Sequence, residues 1–308
     1  MLELQILSCI VMLIQSLVSV AFITLMERKV LGYMQIRLGP NKVGIMGILQ
    51  PLSDAVKLYT KEISWPIKSN SNAFFFSPCL SLTLSLLMVL TLPFWKGWIA
   101  LELSVLMFLS ILGLGVYPIL ISGWSSNSNY SLIGSMRALA QTISYEVSLV
   151  FILLSSLFMC SSMSFYWLNS IQKMFFFAMY FIPLSMWLFS MIAELNRTPF
   201  DFAEGESELV SGFNTEYSSS SFAIIFMAEY LMILTFSMLT TVFFLGGKDN
   251  YPFFLLMKVM IIMHFIIWIR ATLPRFRYDK LMDFSWKVIL PFSTFHLFIS
   301  ILLTITSK

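Results

Sequence analysis

Residues 4–26 read LQILSCIVMLIQSLVSVAFITLM, twenty-three consecutive positions without a charge. A hydrocarbon core about 30 Å thick needs roughly 20 such residues in a helix. A barrel strand would need only about 10, with alternating polarity. The run begins almost at once after Met1, with no basic leader and no small-residue cleavage site. It is therefore expected to remain as the first membrane span. Seven further runs have the same character: 74–94, 99–121, 138–159, 174–193, 222–245, 251–269 and 288–305. The predicted fold is all-α, a single polytopic membrane domain over residues 1–308 with eight transmembrane helices.

Composition agrees. Hydrophobic residues make up 58% of the 308 and charged ones 11%, against about 25% charged in soluble domains; mean hydropathy is +0.84. Lipid, acting as solvent, removes the need for a polar surface. The net charge of +3 is spread thinly, without the basic block that nucleic acid would require. Cys9, Cys79 and Cys160 form no C-x-x-C pair and read as buried thiols; His264 and His296 are isolated in apolar runs. No metal site is expected. Three scattered cysteines cannot ligate an iron–sulfur cluster, which takes about four, and no phosphate-binding or dinucleotide-binding glycine motif is found.

Lysine and arginine set the orientation. Fourteen fall in the first, third, fifth and seventh connections, four on the opposite side, and Lys258 lies within the seventh span. The odd connections should face the negative side, with both termini on the positive side. In the first connection Ile45, Ile48, Leu49, Leu52, Val56 and Tyr59 recur at helical spacing opposite Ser53, Asp54, Lys57 and Lys61. That pattern predicts an interfacial amphipathic helix with a bend at Pro51, serving either as an anchor or as a wall of a site.

The ionisable residues carry the chemistry. Arg137, Gln141 and Tyr145 are four apart on one face of the fourth span. Glu146 lies about 13 Å along the helix from Arg137 at the standard rise. Glu229 lies at comparable depth in the sixth span. A carboxylate there requires a partner or a hydrated cavity. Glu194 closes the fifth span, and the long loop after it holds Asp201, Glu204, Glu206, Glu208 and Glu216 interleaved with Phe200, Phe202, Leu209, Val210 and Phe213. A solvated acidic loop would not need those apolar residues, so partial burial is expected. Crowded carboxyls there would share protons.

Six stretches are distinctive: MERKVLGYMQIRLGP (26–40), ALAQTISYE (138–146), ELNRTPFDFAEGESELVSGFN (194–214), MAEY (227–230), WIR (268–270) and PRFRYD (274–279). Together they resemble subunit 1 of mitochondrial respiratory complex I, in order from about residue 20 to 290. The abundance of Phe and Met, 30 and 21, looks like that of an organelle-encoded animal protein, arthropods included. The resemblance implies a core membrane subunit of an NADH:ubiquinone oxidoreductase in the mitochondrial inner membrane, with both termini in the intermembrane space. Ubiquinone would be the substrate. Flavin and iron–sulfur clusters would sit in partner subunits of the peripheral arm, and antiporter-like subunits would be membrane neighbours. It also implies a quinone tunnel at Arg28, Arg37, Leu49, Leu52, Asp54, Phe200, Phe213, Phe226 and Met227. A proton or charge relay would run through Asp201, Glu204, Glu206, Glu194, Glu146 and Glu229. The segment after Lys287 matches loosely and carries no implied role beyond anchoring. A stand-alone antiporter, a hydrogenase anchor subunit and a purely structural anchor are the competing readings; the first would favour inverted repeats, and none is evident.

Overall fold

The computed structural model describes residues 2–93, 102–171, 181–246 and 252–306. Among these, every regular element is helical. The longer ones are α1 (Leu2–Met34), α2 (Gln50–Thr60), α3 (Ser71–Thr91), α4 (Ser104–Ser125), α5 (Asn129–Cys160), α6 (Phe165–Ile171), α7 (Phe181–Glu194), α8 (Ser219–Leu245), α9 (Pro252–Thr272) and α10 (Tyr278–Thr306). Seven are long and apolar enough to cross a bilayer. The fifth predicted span corresponds to α7, which is 14 residues long; positions 174–180 lie outside the described residues.

Helix ends and membrane boundaries differ. α1 continues through Glu27, Arg28 and Lys29 to Met34, because charge limits burial in lipid and does not stop a helix. α2 corrects the predicted bend. It starts at Gln50, so Pro51 sits in its first turn, where the missing N–H has no helical partner to lose. Residues Ile45–Gly47 form a separate 3₁₀ turn. Leu52, Val56 and Tyr59 face outward, more than half exposed.

α5 is the central post, packed against α4, α7 and the C-terminal half of α10. Small residues allow close approach: a Cβ on Gly123 of α4 would fall on the Ser135 hydroxyl of α5. The serines that speckle α5 are satisfied locally. Ser144, Ser148, Ser155 and Ser156 each donate to the carbonyl three residues back, so they cost little in an apolar bundle. The core beside them is aromatic. Trp187, Phe108, Phe165, Phe236 and Phe243 are fully buried and meet tilted or edge-on at 5.3–6.2 Å between ring centres. α1, α8 and α9 pack together on the other side. α10 lies along α5, so the C-terminal segment is part of the bundle and its Leu281 carbonyl accepts from the Tyr145 hydroxyl.

Candidate functional site

The acidic loop folds back into the bundle. Phe200, Phe202, Ala203, Leu209 and Phe213 are buried, and Val210 is the exposed exception. The predicted stripe on α5 holds it there. Arg137 pairs with Glu208 at the rim. Gln141, completely buried, donates through Nε2 to the carbonyls of Ala193 and Phe200, both at 2.8 Å. Tyr145 lies against the Phe200 ring. Gly134 of α5 and Gly212 of the loop meet backbone to backbone; a Cβ on Gly212 would overlap the Ala203 carbonyl.

This fold-back brings carboxyls from three elements to one cavity. Glu194 from the end of α7, Glu204 from the loop and Glu229 from α8 all line a space of about 120 Å³, among Ser77, Ser81, Ser85, Thr142 and Asn196. Two buried polar atoms of its lining residues lack hydrogen bonds, Glu194 Oε2 and Asn196 Oδ1. A cavity of this size has room for water beside its polar groups. Asp201 contacts Arg275 at 3.5 Å and accepts the Glu204 backbone N–H, while Glu204 accepts from Asn214 Nδ2 at 3.2 Å. Burial pushes the Asp201 carboxyl above the ordinary carboxylate range despite Arg275. Burial, and then the charge of Asp201, does the same to Glu204. Glu146 is half-buried between α5 and α4, its carboxylate lying against Gly113. The Glu206 side chain lies outside the described set.

A second cluster adjoins the first. Glu27 of α1 accepts from Arg270 of α9 and from the Tyr230 hydroxyl of α8, the latter at 2.5 Å. Arg197, from the loop, stands over the Tyr230 ring at 4.7 Å, with Nη1 3.4 Å from Glu27 and Nη2 3.7 Å from Glu229. Burial opposes the Arg197 charge, but Glu27 and Glu229 hold its proton affinity above the ordinary arginine value. The distinctive stretches hold Glu27, Tyr230, Arg270 and Arg275, but the sequence reading used Arg270 and Arg275 only for orientation and gave none of the four a part in the site. For Glu27 and Arg270 the signal was a charge near the end of a long apolar helix, which alone does not reveal a partner; Tyr230, within α8, gave none. Below the cluster, an apolar cleft of about 520 Å³ opens between α1, α8 and α9, lined by Met12, Met26, Met238, Met260 and Met263; Ile23 borders both it and the ion-paired cluster.

The nine residues expected to contact quinone fall in different places. Arg28 pairs with Asp54 at 2.5 Å, tying α1 to α2. Arg37, Leu49 and Leu52 are exposed on the same side. Phe226 packs on Phe222, and Met227 packs against the Val20 and Leu231 cluster. Phe200 is buried against Tyr145 and Phe276, and Phe213 lines the acidic cavity. Lys258 donates to the carbonyls of Leu245 and Gly246 at 3.2 and 2.9 Å, capping the end of α8.

Fold and site together define a polytopic helical membrane protein enclosing a carboxyl-lined cavity and an adjoining ion-paired cluster. A sequence profile described as NADH dehydrogenase matches residues 7–301. The chain is 55% identical over 296 residues to NADH-ubiquinone oxidoreductase chain 1 of Aedes aegypti, covering 96% of this chain and 94% of that one. It is 50% identical over 301 residues to the protein of the same name from Locusta migratoria, covering 97% and 96%. Against that of Phascolarctos cinereus it is 51% identical over 282 residues, 89% of each. The chain belongs to this NADH dehydrogenase family, the one that holds the NADH-ubiquinone oxidoreductase chain 1 proteins. The match extends beyond residues 20–290 at both ends.

Proposed function

We propose that this chain is a core membrane subunit of a proton-translocating NADH:ubiquinone oxidoreductase of the mitochondrial inner membrane. In this reading it forms much of the quinone tunnel and the acidic network that couples quinone reduction to proton movement. The observation that carries the proposal is the single cavity shared by Glu194, Glu204 and Glu229 inside an otherwise apolar bundle. Carboxyls buried this way are costly, and a structural anchor has no use for them. The names of the relatives supply the reaction, and family membership disfavours a stand-alone carrier.

Electrons arrive from NADH through flavin and iron–sulfur clusters of peripheral-arm subunits. Quinone takes up protons as it is reduced, so negative charge develops close to its headgroup. Arg28, Arg37, Leu49, Leu52, Asp54, Phe200, Phe213, Phe226 and Met227 form the tunnel side, on the negative (matrix) face. At low effective dielectric, a charge there is felt over several ångströms by neighbouring carboxyls. Asp201, Glu204, Glu206, Glu194, Glu146 and Glu229 pass it on, as proton or as field, towards antiporter-like subunits. Both termini lie in the intermembrane space.

Glu146→Gln in the assembled complex should reduce coupled NADH–quinone turnover and proton pumping several-fold. Unchanged pumping counts against the relay. A photoreactive quinone analogue should label residues 20–60 and 195–230; labelling confined elsewhere overturns the tunnel.

A further inference from the structure

The cation between the two clusters is not fully engaged with either. Arg197 has its nitrogens 3.4 Å from Glu27 and 3.7 Å from Glu229. Both separations exceed the 2.7–2.9 Å or so of a good charge-assisted hydrogen bond. Its Nη2 is buried without a hydrogen bond. The two carboxylates differ in what else they hold. Glu27 keeps Arg270 and the Tyr230 hydroxyl whether or not Arg197 stays. For Glu229, Arg197 is the cation in ion-pair reach among the described residues. The guanidinium stands over the Tyr230 ring, with one nitrogen towards each carboxylate, so closing on one lengthens the distance to the other.

We propose that Arg197 is a positioning residue that links Glu27 on α1 to Glu229 on α8, dividing its guanidinium between them according to the charge on Glu27. A loss of charge at Glu27 frees Arg197 for Glu229; an added negative charge near Glu27 draws it away, and Glu229 then takes the proton of a protonated Glu204 or Glu194 across the cavity they share, leaving that donor as the carboxylate. This rests on the relay reading above and adds to it a residue through which the tunnel side would reach the cavity. The other charges facing Arg197's surroundings are Asp201 with Arg275 and Arg270 from α9. Glu204 faces the same space and acts on Glu229 as a like charge. Arg275 and Arg270 make their ion pairs with Asp201 and Glu27, and Arg197 is, among the described residues, the one in ion-pair reach of both Glu27 and Glu229.

The test uses redox-induced infrared difference spectroscopy on the assembled complex. The carboxyl signal abolished by Glu229→Gln identifies Glu229. Glu27→Gln should shift that signal, and adding Arg197→Gln should abolish the shift, so the two substitutions are non-additive. If Arg197→Gln does not assemble, Arg197→Lys replaces it. The compact ammonium cannot span both carboxylates, so the shift should shrink markedly. A Glu27→Gln shift of equal size with Arg197 present or replaced overturns the proposal while leaving the relay standing, provided Glu229→Gln still lowers pumping. If Glu229→Gln removes no signal and leaves pumping intact, both fall.

Discussion

Asp201 and Glu204 lie in a loop, yet burial raises the proton affinity of both. A carboxyl whose affinity is higher folded than unfolded stabilises the fold while protonated. That contribution is complete below the ordinary carboxylate range and is lost as pH rises through the raised folded value. Segment 201–214 should therefore open more readily at pH 8 than at pH 5. Hydrogen exchange corrected for its intrinsic pH dependence would measure this, and Glu204→Gln should flatten the response. Lys258 makes a different kind of residue-scale case. By sequence it falls within a span, and its ammonium caps carbonyls at the end of α8. Hydrogen bonds to a charged group contribute about 1.5–3 kcal/mol. Lys258→Met should lower the midpoint of thermal unfolding by several degrees and leave the proton-to-electron ratio unchanged, as measured in reconstituted vesicles.

At the scale of elements, the junction between α5 and the loop decides where the carboxyls go. The four-residue spacing of Arg137, Gln141 and Tyr145 was legible as a face, and the apolar residues between the acids were legible as burial. The receiving carbonyls of Ala193 and Phe200 were not, because any carbonyl would satisfy Gln141 and the sequence does not say which comes near. The glycines distinguish packing from flexibility. Gly212 has φ +55° and no room for a Cβ, and a left-handed conformation alone costs an L-residue about 1–2 kcal/mol. Gly212→Ala should lower the yield of assembled complex. Gly115, within α4, meets nothing inside 4 Å, and an alanine there should gain about 0.5–1 kcal/mol of helix stability. Opposite signs for the two substitutions, read from thermal stability of the assembled complex, would support this account of the junction.

Across the whole molecule, the ends of the helices must alternate between the two sides of the membrane. With Cys9, Cys79 and Cys160 replaced by serine, a cysteine at Ser69 should react with a membrane-impermeant thiol reagent only from the negative side. One at Ser161 should react only from the positive side. Same-side labelling would break the alternation of three crossings between these two positions. Long uncharged runs made the bundle legible, because the bilayer thickness sets a length that few other structures require. The outward face of Leu52, Val56 and Tyr59 also follows from the pattern; their lack of cover in the isolated chain does not.

The sequence alone determined that the chain is a helical membrane protein and that Glu146 and Glu229 fall within long apolar helices. Each of these depends on local composition, and solvent sorts composition without regard to partners. Only the tertiary structure decided that Glu194, Glu204 and Glu229 share one cavity and that Glu27, Tyr230, Arg197 and Arg270 form one cluster. Those contacts join residues as far apart as α1 and α9. Pairing between charges depends on distances of a few ångströms, which the fold sets and the order of residues leaves open.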